Sequence, residues 1–187
     1  MRIIAGRAKS LPLKTIPGSA TRPTTDRTKE TLFNMLMPII PGARFLDLFA
    51  GSGGIGLEAV SRGAKKAVFV EQSREAAACI RENIRFTKAE AESTLLMMDV
   101  MTALRRLNEE GASFDLIFMD PPYRMEHEKR VLSALKDMSL CGEETLIVVE
   151  ASRNTDFSYL DELGYELVKK KEYKTNMHVF VKKKGNE

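Results

Sequence analysis

Tryptophan is absent from the 187-residue chain, and cysteine and histidine occur only twice each. Cys79 and Cys141 lie far apart without a partner cluster, which gives no support to a zinc knuckle or a disulfide framework and fits a reducing compartment. Each reads as a small buried apolar residue. His127 and His178 are isolated, and no Ser/His/Asp or Cys/His arrangement and no metal-ligand spacing is visible. Both histidines are expected to be surface or strand residues. No apolar run approaches the ~20 residues needed to cross a bilayer, and the opening Met1-Arg2-Ile3-Ile4-Ala5-Gly6-Arg7 lacks the long apolar stretch of a secretion signal. The expectation is a cytoplasmic protein.

What is present is ordinary in bulk and uneven in distribution. With 43% hydrophobic and 29% charged residues the chain has the usage of a globular protein, and residues 1–187 are expected to form one domain with its own core. Residues 1–25 carry five basic and no acidic side chains, 26–164 carry 17 basic and 23 acidic, and 165–187 carry seven basic and three acidic. An acidic middle with two basic ends suggests surfaces for a polyanion, although a lysine-rich edge strand that blunts aggregation would look similar at the C-terminus. The candidate nucleic-acid contacts are Arg2, Arg7, Lys9, Lys14 and Arg22, on an arm that Pro12, Pro17, Gly18 and Pro23 keep extended or hairpin-like.

After the arm, Thr25 or Asp26 can cap a helix carrying Leu32, Phe33 and Leu36, stopped by Pro38. Short apolar runs at about 44–49, 66–71, 94–98, 114–119 and 144–150 then alternate with helical spacings, including a shorter helix after Asp99. Apolar strands each followed by a helix require a parallel sheet covered on both faces, a doubly wound α/β core. A last helix is expected with Phe157, Leu160 and Leu163 on one face and Gly164 as its stop. Runs at about 165–173 and 177–184 are close enough to pair as an antiparallel hairpin. The methionines, including Met97 and Met98, read as core.

In open α/β sheets ligands bind beyond the carboxyl ends of the strands, and four such positions are informative. Asp47-Leu48-Phe49-Ala50-Gly51-Ser52-Gly53-Gly54-Ile55-Gly56 lets a ligand approach the main chain and a helix N-terminus. On its own this spacing admits a dinucleotide, a nucleoside or tight packing. Glu71, followed by Gln72, can accept from both hydroxyls of a ribose, which serves NAD and S-adenosylmethionine equally. Asp99 beside Val100 can frame an adenine edge.

Asp120-Pro121-Pro122-Tyr123 decides between cofactors. The prolines have restricted φ and no amide hydrogen, so nearby carbonyls are fixed and free to accept. An exocyclic amine on a base is a poor nucleophile because its lone pair is delocalised into the ring. The Asp120 carboxylate and Pro121 carbonyl can draw its hydrogens out of the ring plane and offset the positive charge developing on nitrogen. An ordinary aspartate, with a pKa near ~3.9, is a weak base, so accepting ranks above early deprotonation. Tyr123 could stack on an extruded base, worth roughly 1–3 kcal/mol.

Together, Asp47 to Gly56, Glu71, Asp99 and Asp120 to Tyr123 resemble a class I S-adenosylmethionine-dependent methyltransferase with the amino-methylating signature. Arg2-Ile3-Ile4-Ala5-Gly6, Arg22-Pro23-Thr24-Thr25-Asp26-Arg27 and Glu30-Thr31-Leu32-Phe33-Asn34 resemble the bacterial RsmD family, which methylates guanine N2 in small-subunit (16S) ribosomal RNA. That resemblance implies a Rossmann-like, three-layer α/β/α fold with a seven-stranded sheet, mostly parallel, the final hairpin at one edge. It implies S-adenosylmethionine as donor, S-adenosylhomocysteine as product and no metal. It also implies action on an assembled or assembling small subunit, Thr25 and its neighbours lining the donor site, and the Asp-Pro-Pro-Tyr turn receiving the guanine. A monomer is expected.

Other readings fit less of the chain. A DNA adenine-N6 methyltransferase would use the same turn, but 187 residues leave little room for a target-reading insert. The basic ends argue against the peptide substrate of a protein-glutamine methyltransferase. A dehydrogenase would leave residues 120–123 unexplained. A non-catalytic RNA-binding assembly factor would use the arm and leave the cavity idle.

Overall fold

The computed structural model describes residues 1–17, 25–123 and 126–185. In chain order its elements are α1 (Asp26–Leu36), β1 (Arg44–Leu48), α2 (Gly54–Ser61), β2 (Lys66–Val70), α3 (Arg74–Phe86), β3 (Ser93–Leu96), α4 (Val100–Glu109), β4 (Phe114–Met119), α5 (His127–Lys136), β5 (Cys141–Ser152), a 3-10 turn (Ser158–Leu160), β6 (Tyr165–Glu172) and β7 (Asn176–Lys183). The seven strands stand in the order β3-β2-β1-β4-β5-β7-β6. The first five are parallel, and β7 enters antiparallel between β5 and β6. This is the Rossmann-like, mostly parallel sheet with a C-terminal antiparallel hairpin.

Strand alternation divides the core into two layers. Leu46, Ile117, Ile147 and Val179 pack with Leu104, Leu107, Val131 and Leu135 of α4 and α5. Their neighbours Phe45, Leu116, Phe118, Val148 and Phe180 pack with Leu32, Phe33 and Leu36 of α1 and with α2 and α3. Apolar side chains on both faces of each central strand are what a sheet covered on both sides needs. Thr25 is the N-cap of α1, its Oγ1 accepting from the Thr28 amide at 3.2 Å.

The arm is hairpin-like, as its prolines imply: Ile3 N donates to Leu11 O at 3.0 Å, Ser10 N to Ile3 O at 2.8 Å, and Arg2 bridges to Pro12. It is also docked. Ile3, Ala8 and Leu13 are buried in the α1–α3 layer, and Glu58 of α2 accepts from Ile4 N at 2.9 Å and Ala5 N at 3.1 Å. Glu58 and Lys29 of α1 are both fully inaccessible and 3.3 Å apart, with Arg62 Nε on the same carboxylate at 2.8 Å and Lys29 Nζ donating to Arg2 O. Burial lowers the Lys29 pKa while Glu58 pulls it back up. Lys29, Glu58 and Arg62 thus tie two helices to the arm, a cluster that sequence reasoning missed.

Three expectations need correction. Cys79 is only partly buried, its thiol donating to Lys14 O at 3.4 Å, while Cys141 is buried as expected. The last helix, with Phe157, Leu160 and Leu163 on one face, is instead a single 3-10 turn over Ser158–Leu160. Asp156 accepts from Ser158 N at 2.9 Å and from its hydroxyl at 2.7 Å, and Gly164 at φ 77° stops the chain soon afterwards, so too few residues remain to offset helix nucleation. Met97 and Met98 are not core: β3 ends at Leu96, Met97 is 43% exposed and Met98 lines a cavity.

Candidate active site

A cavity of about 440 Å³ opens beyond the carboxyl ends of the strands, with Asp47, Phe49, Ala50, Gly51, Ser52, Glu71, Gln72, Asp99, Val100, Asp120 and Pro122 in its lining. Gly53 is not among the lining residues; it is the N-cap of α2, at φ 84°. A side chain there would be strained. A Cβ on Gly56 would meet the Phe69 ring at 2.3 Å, so that glycine serves close packing of α2 on β2. Phe49 is held at φ 60°, an uncommon conformation for an aromatic residue, with its ring centroid 6.0 Å from that of His127.

The Glu71 carboxylate is already oriented. Its Oε2 accepts from Gly51 N at 2.9 Å and its Oε1 from Ser73 N at 2.8 Å. Each oxygen keeps a second lone pair for a hydroxyl. Asp99 caps α4 through Thr102 N at 3.0 Å, and hydrogen bonds from Thr102 hold its pKa below the ordinary value, so it stays ionised.

Asp47 is 1% exposed and accepts from Gly56 N at 3.0 Å. Burial pushes its pKa up to about 7, partly offset by the Gly56 hydrogen bond and reinforced by the Glu71 charge. Because that value lies above the unfolded one, the folded state binds the proton more tightly. The Asp47 contribution to stability is therefore fully present below about pH 4 and is lost as pH rises toward 7, at roughly 1.4 kcal/mol for every pH unit between the two values. Asp47→Asn is expected to flatten this loss in urea melts taken between those pH values; an unchanged slope would remove Asp47 as its source.

Asp120 leaves β4 on the α1 side of the sheet and is half-buried. Burial, then the charges of Glu150 and Asp47, raise its pKa well above the ordinary value. Glu150, 4% exposed near the end of β5, belongs to a network that sequence reasoning missed. Asn176 Nδ2 donates to its Oε1 at 2.7 Å, His178 Nε2 lies 3.0 Å from its Oε2, and Tyr173 Oη lies 3.2 Å from His178 Nδ1. His178 is thus a fully buried strand residue. Its pairing could not be anticipated without knowing that β7 lies beside β5. Pro121 is buried, while Tyr123 is 52% exposed and lines an adjacent surface cleft with Glu126, Ser152 and Tyr159. Burial raises the Tyr123 hydroxyl to about 12, keeping it neutral.

Met1, Thr15, Ile16, Met98, His127 and Arg130 also line the cavity without a sequence signal that singled them out. Thr25 is not among the lining residues. On the arm, Arg2 pairs with Asp26 at 3.2 Å, Arg7 with Glu92 at 2.6 Å and Lys14 with Glu82, whereas Lys9 is exposed. Arg22 lies outside the described residues.

The family model described as Conserved hypothetical protein 95 matches residues 1–182. Ribosomal RNA small subunit methyltransferase D of Escherichia coli (strain K12) is 39% identical over 153 residues, 81% of this chain and 74% of that protein. The chain belongs to the RsmD family. Among solved structures, the Thermus thermophilus protein TTHA0928 matches this RsmD-family chain with a TM-score of 0.84 and 32% identity, covering 97% of this chain and 99% of the other. The fold extends to SMU.776, solved complexed with SAH, at a TM-score of 0.68 and 15% identity over 82% of this chain and 49% of that one.

Proposed function

We propose that this chain transfers a methyl group from S-adenosylmethionine to the exocyclic N2 amine of a guanine in small-subunit ribosomal RNA, acting in the cytoplasm as a monomer on an assembled or assembling subunit. The observation that carries the reading is that Asp120 and Pro122 border the same cavity as Gly51, Glu71 and Asp99, so an amine acceptor and a nucleoside cradle share one space. The name carried by the Escherichia coli relative supports the RNA substrate.

The lining suits the donor. Asp47, Glu71, Asp99 and Asp120 line the cavity; Asp99 is held ionised by its hydrogen bonds, and a bound cation would favour the charged form of the raised Asp47 and Asp120. Glu71 can accept from two ribose hydroxyls, and Gly51 has no neighbouring atom within 4 Å of where a Cβ would project, leaving the main chain approachable. The donor, when bound, supplies an electrophilic methyl group on a sulfonium. The chain holds the base amine against it: Asp120 and the Pro121 carbonyl accept its hydrogens, turn its lone pair toward the methyl carbon and offset charge as it develops. Asp120 is then placed to receive the proton that leaves. Tyr123, exposed beside this turn, can stack on the extruded base.

Incubation of the purified protein with methyl-labelled donor and small subunits lacking the modification tests this. Nucleoside digestion should give labelled N2-methylguanosine; label in adenine, or only in ribosomal proteins, would overturn the assignment.

A further inference from the structure

We propose that the β6 edge of the sheet, through Lys169, Lys171 and Lys174, grips the phosphate backbone of the RNA whose base enters the Asp120 site. The inference rests on the RNA reading above. It starts from a row across the sheet. Met119 pairs with Val149, so Asp120 and Glu150 follow as neighbours at the ends of β4 and β5; Glu150 pairs with His178, and His178 with Lys171. Paired residues project to the same face, and this row shares the α1 side with Phe118, Val148 and Phe180. Three strand spacings separate Asp120 from Lys171, about 14 Å, within reach of the strand flanking a flipped base. Lys169, paired with Phe180, stands on the same face.

The charge at this end is in excess. Lys169, Lys171 and Lys174 are exposed, and no ion pair is formed by any of them among the described residues. Glu172 is shared by Lys170 at 3.0 Å and Arg153 at 3.2 Å, and Arg153 N donates to Thr175 O at the same turn. The arm differs: Arg2, Arg7 and Lys14 already hold carboxylates, which a phosphate would have to displace.

Protection of an edge strand against pairing is a second use for lysines, but their placement argues for the first. Lys169 and Lys171 lie in the half of β6 nearest the active site and Lys174 in the turn just beyond it, whereas Leu167 and Val168 remain 55% and 51% exposed. An edge charged only for protection would cover that apolar half.

The test is the salt dependence of binding to a fluorescently labelled 16S rRNA fragment for the parent and for K169A/K171A/K174A. Each phosphate left unneutralised on a single strand reduces the log–log slope by about 0.7, so the triple variant should bind at least tenfold more weakly at low salt and lose about 2 from its slope. Unchanged donor affinity in the same preparation would show that the variant is folded; if it failed to fold, K171Q and K174Q singly should each lose about 0.7. A parental slope in folded variants that still methylate RNA would overturn the track alone. A parent that neither binds nor methylates RNA would overturn the RNA reading with it. A dimer of the parent in sedimentation, dispersed by Leu167→Lys, would give this edge to a second copy and overturn the proposal.

Discussion

Asp120→Ala is expected to lower methyl transfer by about 10²–10³-fold, the usual cost of removing one preorganised group that stabilises developing charge, while the donor still binds. Single-turnover transfer and calorimetric donor titration separate the two effects. The parent should also show an acid limb. Asp120 has a raised pKa because it is partly screened from water and faces Glu150 and Asp47. As pH falls through that value the carboxylate is protonated and loses acceptor capacity, so the rate declines, beginning above the pH at which an ordinary aspartate would titrate. Asp120→Asn keeps one acceptor oxygen and does not titrate; it should retain more activity than alanine and lose the acid limb. Parental transfer by the alanine variant would remove Asp120 from the mechanism.

Glu58→Ala should be the most damaging single change to stability, at about 3–5 kcal/mol. Its carboxylate is fully buried, accepts from two arm amides and faces Lys29 and Arg62. Removing it strands a lysine with no exposed surface and releases the arm from α2. Replacing Lys29 by methionine as well should recover much of the loss, because it is the uncompensated charge rather than the absence of the pair that costs most. Urea midpoints of the two variants check this; a loss under about 1 kcal/mol for Glu58→Ala would mean that water reaches the cluster.

The two predictions also mark where the sequence was readable. Strands β1, β2 and β4 were legible as short apolar runs, and Gly51, Glu71, Asp99 and Asp120 as residues following such runs, because a parallel sheet places strand ends together. The helix starts at Thr25 and Asp99 were legible because capping is local. Glu58 and Lys29 were not: on their helices they resemble solvated charges, and only the docking of the arm buries them. Glu150 looks like the polar end of an apolar run, and His178 like one strand residue among several. Their contact depends on β7 inserting between β5 and β6, a choice of neighbour that no local pattern encodes. The stretch after Phe157 had helical spacing but not the length to sustain it.

That insertion bears on the order in which the sheet can be completed. Of all the strands, β7 is synthesised last, yet it occupies an interior place. Until it emerges from the ribosome, β6 has no partner and Glu150 lacks both His178 and Asn176. A chain that stops at residue 175 would carry every carboxylate that lines the cavity while the contacts that hold Glu150 beside Asp120 were missing, so the Asp120 end of the sheet reaches its final form only once β7 is in place.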